Sequence, residues 1–358
     1  MARSEFESNV PSAASATRPV TLKDVARAAG IHYSTVSRAL NPTKRSVNTK
    51  TAERVRAVAE SLGYRGHMVA RSLRLGTTKT IGVVVPDLGN PAWTPVVHGI
   101  ATALEKRGYE ALIGETQDNH SRYERLLERL AGGRVDAIIS AATRLGDRGT
   151  LKEFAGKQVP LLLVVRTAPG LDLPTVSDDG LKGGALAAEH LIQLGHKLVA
   201  QLCGQVDVQA FIDRENGFRQ TANSAGLIVR DFGLRADTAS YDEGLRLMGE
   251  LLRLPGPTPT GVFVHNDLMA IGAMDAVAAA GLQCPRDVSI IGYNDSPLVD
   301  RLMISLTTVR FLARELGRLA GEMAMQVIEE RGVRVHSVSL SPVLVARAST
   351  GPAPAFQS

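Results

Sequence analysis

The stretch HYSTVSRAL, residues 32–40, holds the side chains of this chain that best suit recognition chemistry. Tyr33, Ser34, Thr35 and Arg38 are spaced to lie on the outer side of a short helix, close to its start. In a helix-turn-helix the second helix enters the DNA major groove with those N-terminal residues leading. Arg38 can give two parallel hydrogen bonds to guanine O6 and N7, which discriminates against a wrong base by about 1 to 3 kcal/mol, while Ser34 and Thr35 can donate or accept. Ser37, Thr21 and Asn48 suit phosphate, where polar groups and helix N-termini fix register without reading sequence. Asn41, where the helix ends, joins the same candidate set. An arginine met alone reads more readily as a solvated surface charge, so the elements around Arg38 have to decide.

Those elements form a helix-turn-helix pattern. Thr21 can cap a first helix while Asp24 reaches back to the cap, and Val20 can pack on Val25. Leu22, Val25, Ala26 and Ala29 share one face, and Gly30 supplies the stop. The second helix runs through Val36 and Leu40 to Asn41 and Pro42. A third, from a cap at Asn48 through Ala52, Val55, Val58, Ala59 and Leu62 to Gly63, can cover the other two. Charge supports a phosphate-binding role for this end. Residues 1–80 hold 14 Lys or Arg against 5 Asp or Glu, a balance of +9, whereas residues 81–358 hold 27 against 31, a balance of −4, consistent with the net +5. A basic module on a mildly acidic body is the footprint of a nucleic-acid binder; a solvated basic tail is the bland alternative that composition leaves open.

From Thr80 onward short apolar runs alternate with helical periodicity: IGVVV, a helix through Trp93, Val96, Val97, Ile100 and Leu104, YEALI, a charged helix at 121–131, AIIS, LLLVV, LVAQL, GVFV and VSIIGY. Continuous β-rich runs of this kind are buried parallel strands, and their number predicts a doubly wound α/β sheet divided into two lobes. Ligands in such sheets bind beyond the carboxyl ends of the strands, so the turns PDLGNPAW, VVRTA, CGQVD, HNDLM and YNDSP are the places to search. Their amide, carboxylate and aromatic groups suit a polar, hydroxylated small molecule. No Gly-x-Ser-x-Gly elbow, P-loop or Gly-x-Gly-x-x-Gly loop occurs, and His98, His190, His196 and His265 have no metal-ligand spacing. The expectation is therefore no enzyme, no catalytic residue, no metal and no cofactor. Two distant cysteines, no membrane-length apolar stretch and an N-terminus without an apolar core place the chain in the cytoplasm.

The segment VTLKDVARAAGIHYSTVSRALNPTKRSVNTKTAERVRAVAESLGYRGHMVARSLRLG closely resembles the headpiece of the lactose repressor (LacI/GalR) family, and the likeness extends to GLQCPRDVSIIGYNDSP and the LTTV that follows. The resemblance implies a repressor of sugar-controlled genes: an all-α headpiece that binds double-stranded operator DNA, joined to a two-lobed, periplasmic-binding-protein-like sensor. It implies a hinge that becomes helical on DNA and presses a leucine, Leu73 by position, into the minor groove; an apolar wedge of this type kinks the duplex. Gly66-His67 replaces the family's usual Pro-Asn, predicting a looser free hinge. His32 stands where Ser or Thr usually caps the recognition helix, and reads as a poor cap that could instead touch DNA.

In the sensor, the likeness makes Trp93 the aromatic that packs on the effector and Arg214 its grip from the other lobe. Asn266 and Asn294 take hydrogen-bonding positions, with Asp87, Asn90 and Asp295 as lesser candidates. Trp93 read alone is equally a core residue, and Arg214 an interlobe ion pair. Val165 and Asn294 stand where family members often carry Asp, so two carboxylate acceptors are missing. The predicted layout is a disordered tail (1–19), helix-turn-helix domain (20–65), hinge (66–79), effector and dimerisation domain (80–350) and a second tail (351–358). Within the sensor the N-lobe takes about 80–177 plus 310–335 and the C-lobe about 178–309 plus 336–350. Operator geometry calls for a homodimer, since one headpiece reads few base pairs. A solute-binding protein is the rival reading; it would share the lobes but have no use for a headpiece.

Overall fold

The computed structural model describes residues 20–40, 47–64, 77–155, 159–230, 233–330 and 335–354. The chain divides into two units, Met1–Thr78 and Lys79–Ser358. In the first, α1 (Leu22–Ala29), α2 (Tyr33–Ala39) and α3 (Thr49–Ser61) enclose a small core of Val25, Ala26, Ala29, Val36, Ala39, Val55 and Ala59. Asp24 Oδ2 accepts from both the amide (2.9 Å) and hydroxyl (2.6 Å) of Thr21, which fixes the start of α1. Gly30, at φ 62°, ends it in the left-handed conformation that a side chain would resist. Arg54 of α3 donates to the carbonyl of Ala29 at 2.9 Å, satisfying an open C-terminal acceptor of α1 and tying the two helices together.

The second unit is built on two six-stranded sheets. The first-lobe sheet contains β1 (Thr80–Val85), β2 (Glu110–Glu115), β3 (Ala137–Ser140), β4 (Leu161–Val164), β5 (Thr175–Asp178) and β11 (Val338–Leu340), in the order β2-β1-β3-β4-β5-β11. The second-lobe sheet contains β6 (Leu198–Leu202), β7 (Ile228–Arg230), β8 (Gly261–Val264), β9 (Ser289–Asn294), β10 (Thr307–Arg310) and β12 (Val343–Val345), in the order β7-β6-β8-β9-β10-β12. Every pairing is parallel except β10 with the edge strand β12. Interior strands such as Leu161–Val164 and Gly261–Val264 are buried at every position, because helices cover both faces. The covering helices are α4 (Trp93–Glu105), α5 (His120–Ala131), α6 (Arg148–Ala155), α7 (Gly180–Gln193), α8 (Gln209–Ser224), α9 (Tyr241–Arg253), α10 (Asp267–Ala279) and α11 (Ala313–Glu329).

The chain passes between the lobes after β5, after β10 and between β11 and β12. The expected return to the second lobe at residue 336 therefore falls later, beyond Leu340, because Val338–Leu340 pairs with Val176–Asp178 in the first sheet. Short strands at sheet edges, such as β7, β11 and β12, carry too few residues for a periodicity signal.

Three helix pairs approach through glycine. A methyl on Gly99 or Gly317 would overlap backbone across the α4–α11 contact, one on Gly184 or Gly217 across α7–α8, and one on Gly244 or Gly272 across α9–α10. The α7–α8 pair matters most for the site, since the atom that a Gly184 side chain would strike is the carbonyl oxygen of Arg214.

Candidate nucleic-acid interface and ligand cleft

On the headpiece, Tyr33, at the first position of α2, is 53% exposed, and Arg38 is also exposed. Arg38 lies back along its own helix, with Nε donating to the carbonyl of Ser34 at 3.3 Å and Nη2 to Thr35 Oγ1 at 3.4 Å. Both bonds are long, so reaching a base edge costs little reorganisation. Ser34 and Thr35 are half-buried beside it, as is Ser37. Thr21 has its hydroxyl committed to Asp24, and Asn48 caps α3 by accepting from the amide of Lys50 at 3.1 Å. His32 corrects one expectation. It does cap α2: Nδ1 accepts from the amide of Ser34 at 3.4 Å and lies 2.9 Å from its hydroxyl, the imidazole nitrogen standing in for the oxygen of a serine. Asn41, Leu73, Gly66 and His67 lie outside the described residues, as do the segments 1–19 and 355–358.

In the sensor, the carboxyl ends of the strands meet around a cavity of about 280 Å³. Asp87, Asn90 and Trp93 reach it from the segment after β1, Arg214 from α8, Asn266 from the end of β8 and Asn294 from the end of β9. Asp295 is not among the lining residues. Asn294 and Asp295 have φ of 123° and 56°, a turn that separates consecutive side chains, and the Asp295 carboxylate is taken by Arg310 and Arg347, each at 2.6 Å. Two of the amides also serve the fold. Asn90 Oδ1 accepts from the amide of Ala92 at 3.1 Å, and Asn266 Oδ1 from those of Leu268 at 2.7 Å and Met269 at 3.4 Å, so each fixes the entry to a helix that starts at the cleft.

Arg214 is 3% exposed and makes no ion pair among the described residues. Its Nη1 donates to the carbonyl of His265 at 2.8 Å, and its Cζ sits 3.6 Å from the ring centre of Tyr293 and 5.3 Å from that of Phe211. The Tyr293 hydroxyl donates to Asp178 at 2.5 Å. His265 accepts at Nδ1 from the amide of Gly204 at 3.4 Å and bonds through Nε2 to Gln201 Oε1 at 3.2 Å. Burial, reinforced by Arg214 and Arg235, holds its pKa well below the usual histidine range, so it is neutral.

The lobes are also joined by charged groups. Arg144, after β3, donates from Nε and Nη2 to Asp207 of the second lobe at 2.7 and 2.9 Å, and the amide of Leu145 donates to the Asp207 carbonyl at 2.8 Å. Asp118, after β2, accepts from Arg166 at 2.5 and 3.2 Å and from Gln205 of the second lobe at 2.8 Å. Burial alone would raise the Asp118 pKa, but Arg166 and its hydrogen bonds overcome that and hold the carboxyl below its ordinary value. Arg166 and Asp118 line the same cavity, so clasp and ligand space are contiguous. Sequence reading marked the turns that carry Arg166, Gln205 and Asp207 without choosing those residues, and passed over Asp118 and Arg144 altogether. Arg166 owes its direction to Val165, whose φ of 64° is rare for a β-branched residue; the amide of Arg166 closes a γ-turn onto the carbonyl of Val164 at 2.7 Å.

Residues 21–66 match the family described as bacterial regulatory proteins, lacI family, and residues 188–350 match a periplasmic binding protein-like domain. The chain is 31% identical to the HTH-type transcriptional repressor PurR of Haemophilus influenzae (strain PittEE), over 92% of this chain and 98% of that one. It belongs to the LacI family. As a LacI-family member it is a DNA-binding transcriptional regulator whose activity answers to an effector, and not an enzyme. It is 32% identical to the ribose operon repressor of Escherichia coli (strain K12), over 92% of this chain and 99% of that one. A crystal structure of the lac repressor dimer bound to operator and the anti-inducer ONPF superposes with a TM-score of 0.81 at 27% identity, covering 93% of this chain and all of the other. Both units of the LacI architecture are thus accounted for in one alignment, which the solute-binding reading does not explain. No described helix is long and apolar enough to cross a membrane.

Proposed function

We propose that this LacI-family chain is a homodimeric repressor acting in the bacterial cytoplasm, held at operator DNA by paired headpieces and controlled by a sugar or sugar derivative bound between the sensor lobes. The observation that carries the reading is the cavity lined from both sheets in a chain that also presents Arg38 and Tyr33 on an exposed helix. Base reading is assigned to Tyr33, Ser34, Thr35 and Arg38, with His32 and Asn41 flanking them. Thr21, Ser37 and Asn48 are assigned to phosphate and Leu73 to the minor groove. Effector contacts are assigned to Trp93, Arg214, Asn266 and Asn294, with Asp87 and Asn90 at the same cavity. Solved relatives support the partners: one is described as a dimer on operator, and one relative is named for a ribose operon.

A ligand that touches both lobes changes how they sit against each other, and the lobes of a dimer set whether two hinges can fold on DNA together. Coupling of about 1 to 3 kcal/mol between effector and operator is typical of such a linkage. Apolar side chains for the dimer contact are present on the edge strands of both sheets: Leu112 and Ile113 on β2 are 46% and 44% exposed, and Ile228 on β7 is 65% exposed. Selecting bound duplexes from a random pool with the full-length protein tests the paired reader. The expected product is a twofold-symmetric site with half-sites centred about 34 to 36 Å apart or a multiple of that. Recovery of single, unpaired half-sites would contradict the dimeric arrangement.

A further inference from the structure

At the start of α2, the hydroxyl proton of Ser34 is already committed. The Ser34 amide hydrogen is directed at His32 Nδ1, 3.4 Å away, so that nitrogen presents its lone pair and the ring proton resides on Nε2. A nitrogen with only a lone pair cannot donate. The Ser34 hydroxyl, 2.9 Å from the same Nδ1, is therefore the donor in that contact, and amide and hydroxyl share one acceptor. The Tyr33 ring meets the imidazole at an interplanar angle of 64°, with centroids 6.0 Å apart, and both rings are exposed. Arg38 Nε donates to the Ser34 carbonyl and Nη2 to Thr35 Oγ1, so neither of these bonds occupies the lone pairs of the Ser34 hydroxyl.

We propose that His32 fixes the hydrogen-bond polarity of Ser34, so that Ser34 reads an amino base, adenine or cytosine, and rejects a keto base, guanine or thymine. The inference rests on the reading of α2 as the recognition helix and names what one of its side chains selects. A free serine hydroxyl donates or accepts, and so tolerates either class of base. Once its single proton is held by His32, only oxygen lone pairs remain to face the duplex. In the major groove adenine N6 and cytosine N4 are donors, whereas guanine O6 and thymine O4 are acceptors. Lone pairs set against a keto oxygen repel, and the proton can turn to that oxygen only by giving up its bond to His32. A phosphate oxygen, which also only accepts, is disfavoured for the same reason. His32 is thus a positioning residue that acts through Ser34.

The test uses the full-length protein, duplexes selected from a random pool and competition binding. Comparing the four base pairs at each half-site position in the wild type and in Ser34→Ala locates the position that Ser34 reads. There the pairs are expected to fall into two groups, A·T with C·G against T·A with G·C, with about tenfold between them, because each group puts its amino base on the same strand. Replacing the preferred adenine by purine, or the preferred cytosine by 2-pyrimidinone, deletes the amino group and should weaken the wild type about fivefold more than Ser34→Ala. His32→Gly leaves a residue that can still begin a helix but removes the acceptor. It is expected to cut the gap between the groups to about twofold or less, while preferences at other positions persist. His32→Asn, whose Oδ1 can accept from the same amide and hydroxyl, is expected to keep the gap. Grouping by purine against pyrimidine, or an unchanged gap in His32→Gly, overturns the polarity assignment while the headpiece stands as a sequence reader. If no position responds to Ser34→Ala, the inference fails, and preferences retained at the other positions still support the recognition helix. If no duplex outcompetes scrambled DNA, the inference and the recognition-helix reading both fail.

Discussion

Arg38 and Trp93 carry the two halves of the function at the level of single side chains. Arg38→Ala should lower affinity for the selected operator by about 1 to 3 kcal/mol while leaving random-duplex binding nearly unchanged, because non-specific affinity comes from phosphates. Gel-shift titrations on both duplexes check this, and equal losses would remove Arg38 as a base reader. Trp93→Ala should abolish the response to effector and spare operator affinity in its absence; an unaltered dose response in a transcription assay would take it out of the site. Turns after the apolar strand runs made part of the cleft legible, since Trp93, Asn266 and Asn294 lie in them and line it, whereas Arg214, inside a helix, was marked only by the family likeness. Asp295 was misread because sequence gives adjacency and not direction, and two successive positive φ angles send it to Arg310 and Arg347. Asp118 escaped notice for a different reason. Its partners Arg166 and Gln205 are 48 and 87 residues away in the chain, and nothing local marks such a pairing.

Among the elements, the helix pairs set the precision of the cleft. Gly184 lets α7 lie against α8 at the level of Arg214, and Gly183 leaves room for the Tyr293 ring on which that guanidinium rests. Gly184→Ala should therefore cost about 1 to 3 kcal/mol of sensor stability, by overpacking, and weaken effector binding along with it. Urea unfolding and ligand titration on the same variant check both effects; loss of neither would show that the helices can separate freely. The interlobe clasp invites a double-mutant cycle on Arg144 and Asp207. The pair is bidentate but 27% and 35% exposed, so a coupling of about 1 kcal/mol or less is expected after solvent screening. Long apolar strands and amphipathic helices were readable from periodicity. The glycine contacts were not, since a glycine that admits a neighbouring helix and one that ends a turn look the same in sequence.

For the whole molecule, stability should carry a pH signature from Asp267. Burial raises its pKa from 3.8 to about 6, although the amide of Ser296 and hydroxyl of Thr308, each at 2.7 Å, draw it back. The folded state thus favours the protonated acid. Its contribution is complete below pH 4 and is lost as pH rises through about 6. Asp118, whose pKa is lowered, works in the opposite sense and loses its contribution as pH falls. Calorimetric comparison with Asp267→Asn should show the wild-type advantage shrinking between pH 4 and 7; a constant difference would exclude titration of this group. The division into a basic reader and a two-lobed sensor was legible at this scale from charge balance and strand count, and the lobe boundary near residue 340 was not, because β11 is only a three-residue strand.

Competition anisotropy with the full-length protein tests the central claim most directly. At physiological salt, a duplex recovered by selection should be bound at least ~10³-fold more tightly than a scrambled duplex of the same composition, and the Arg38→Ala protein should lose much of that margin. Equal affinity for the two duplexes would contradict a sequence-reading headpiece.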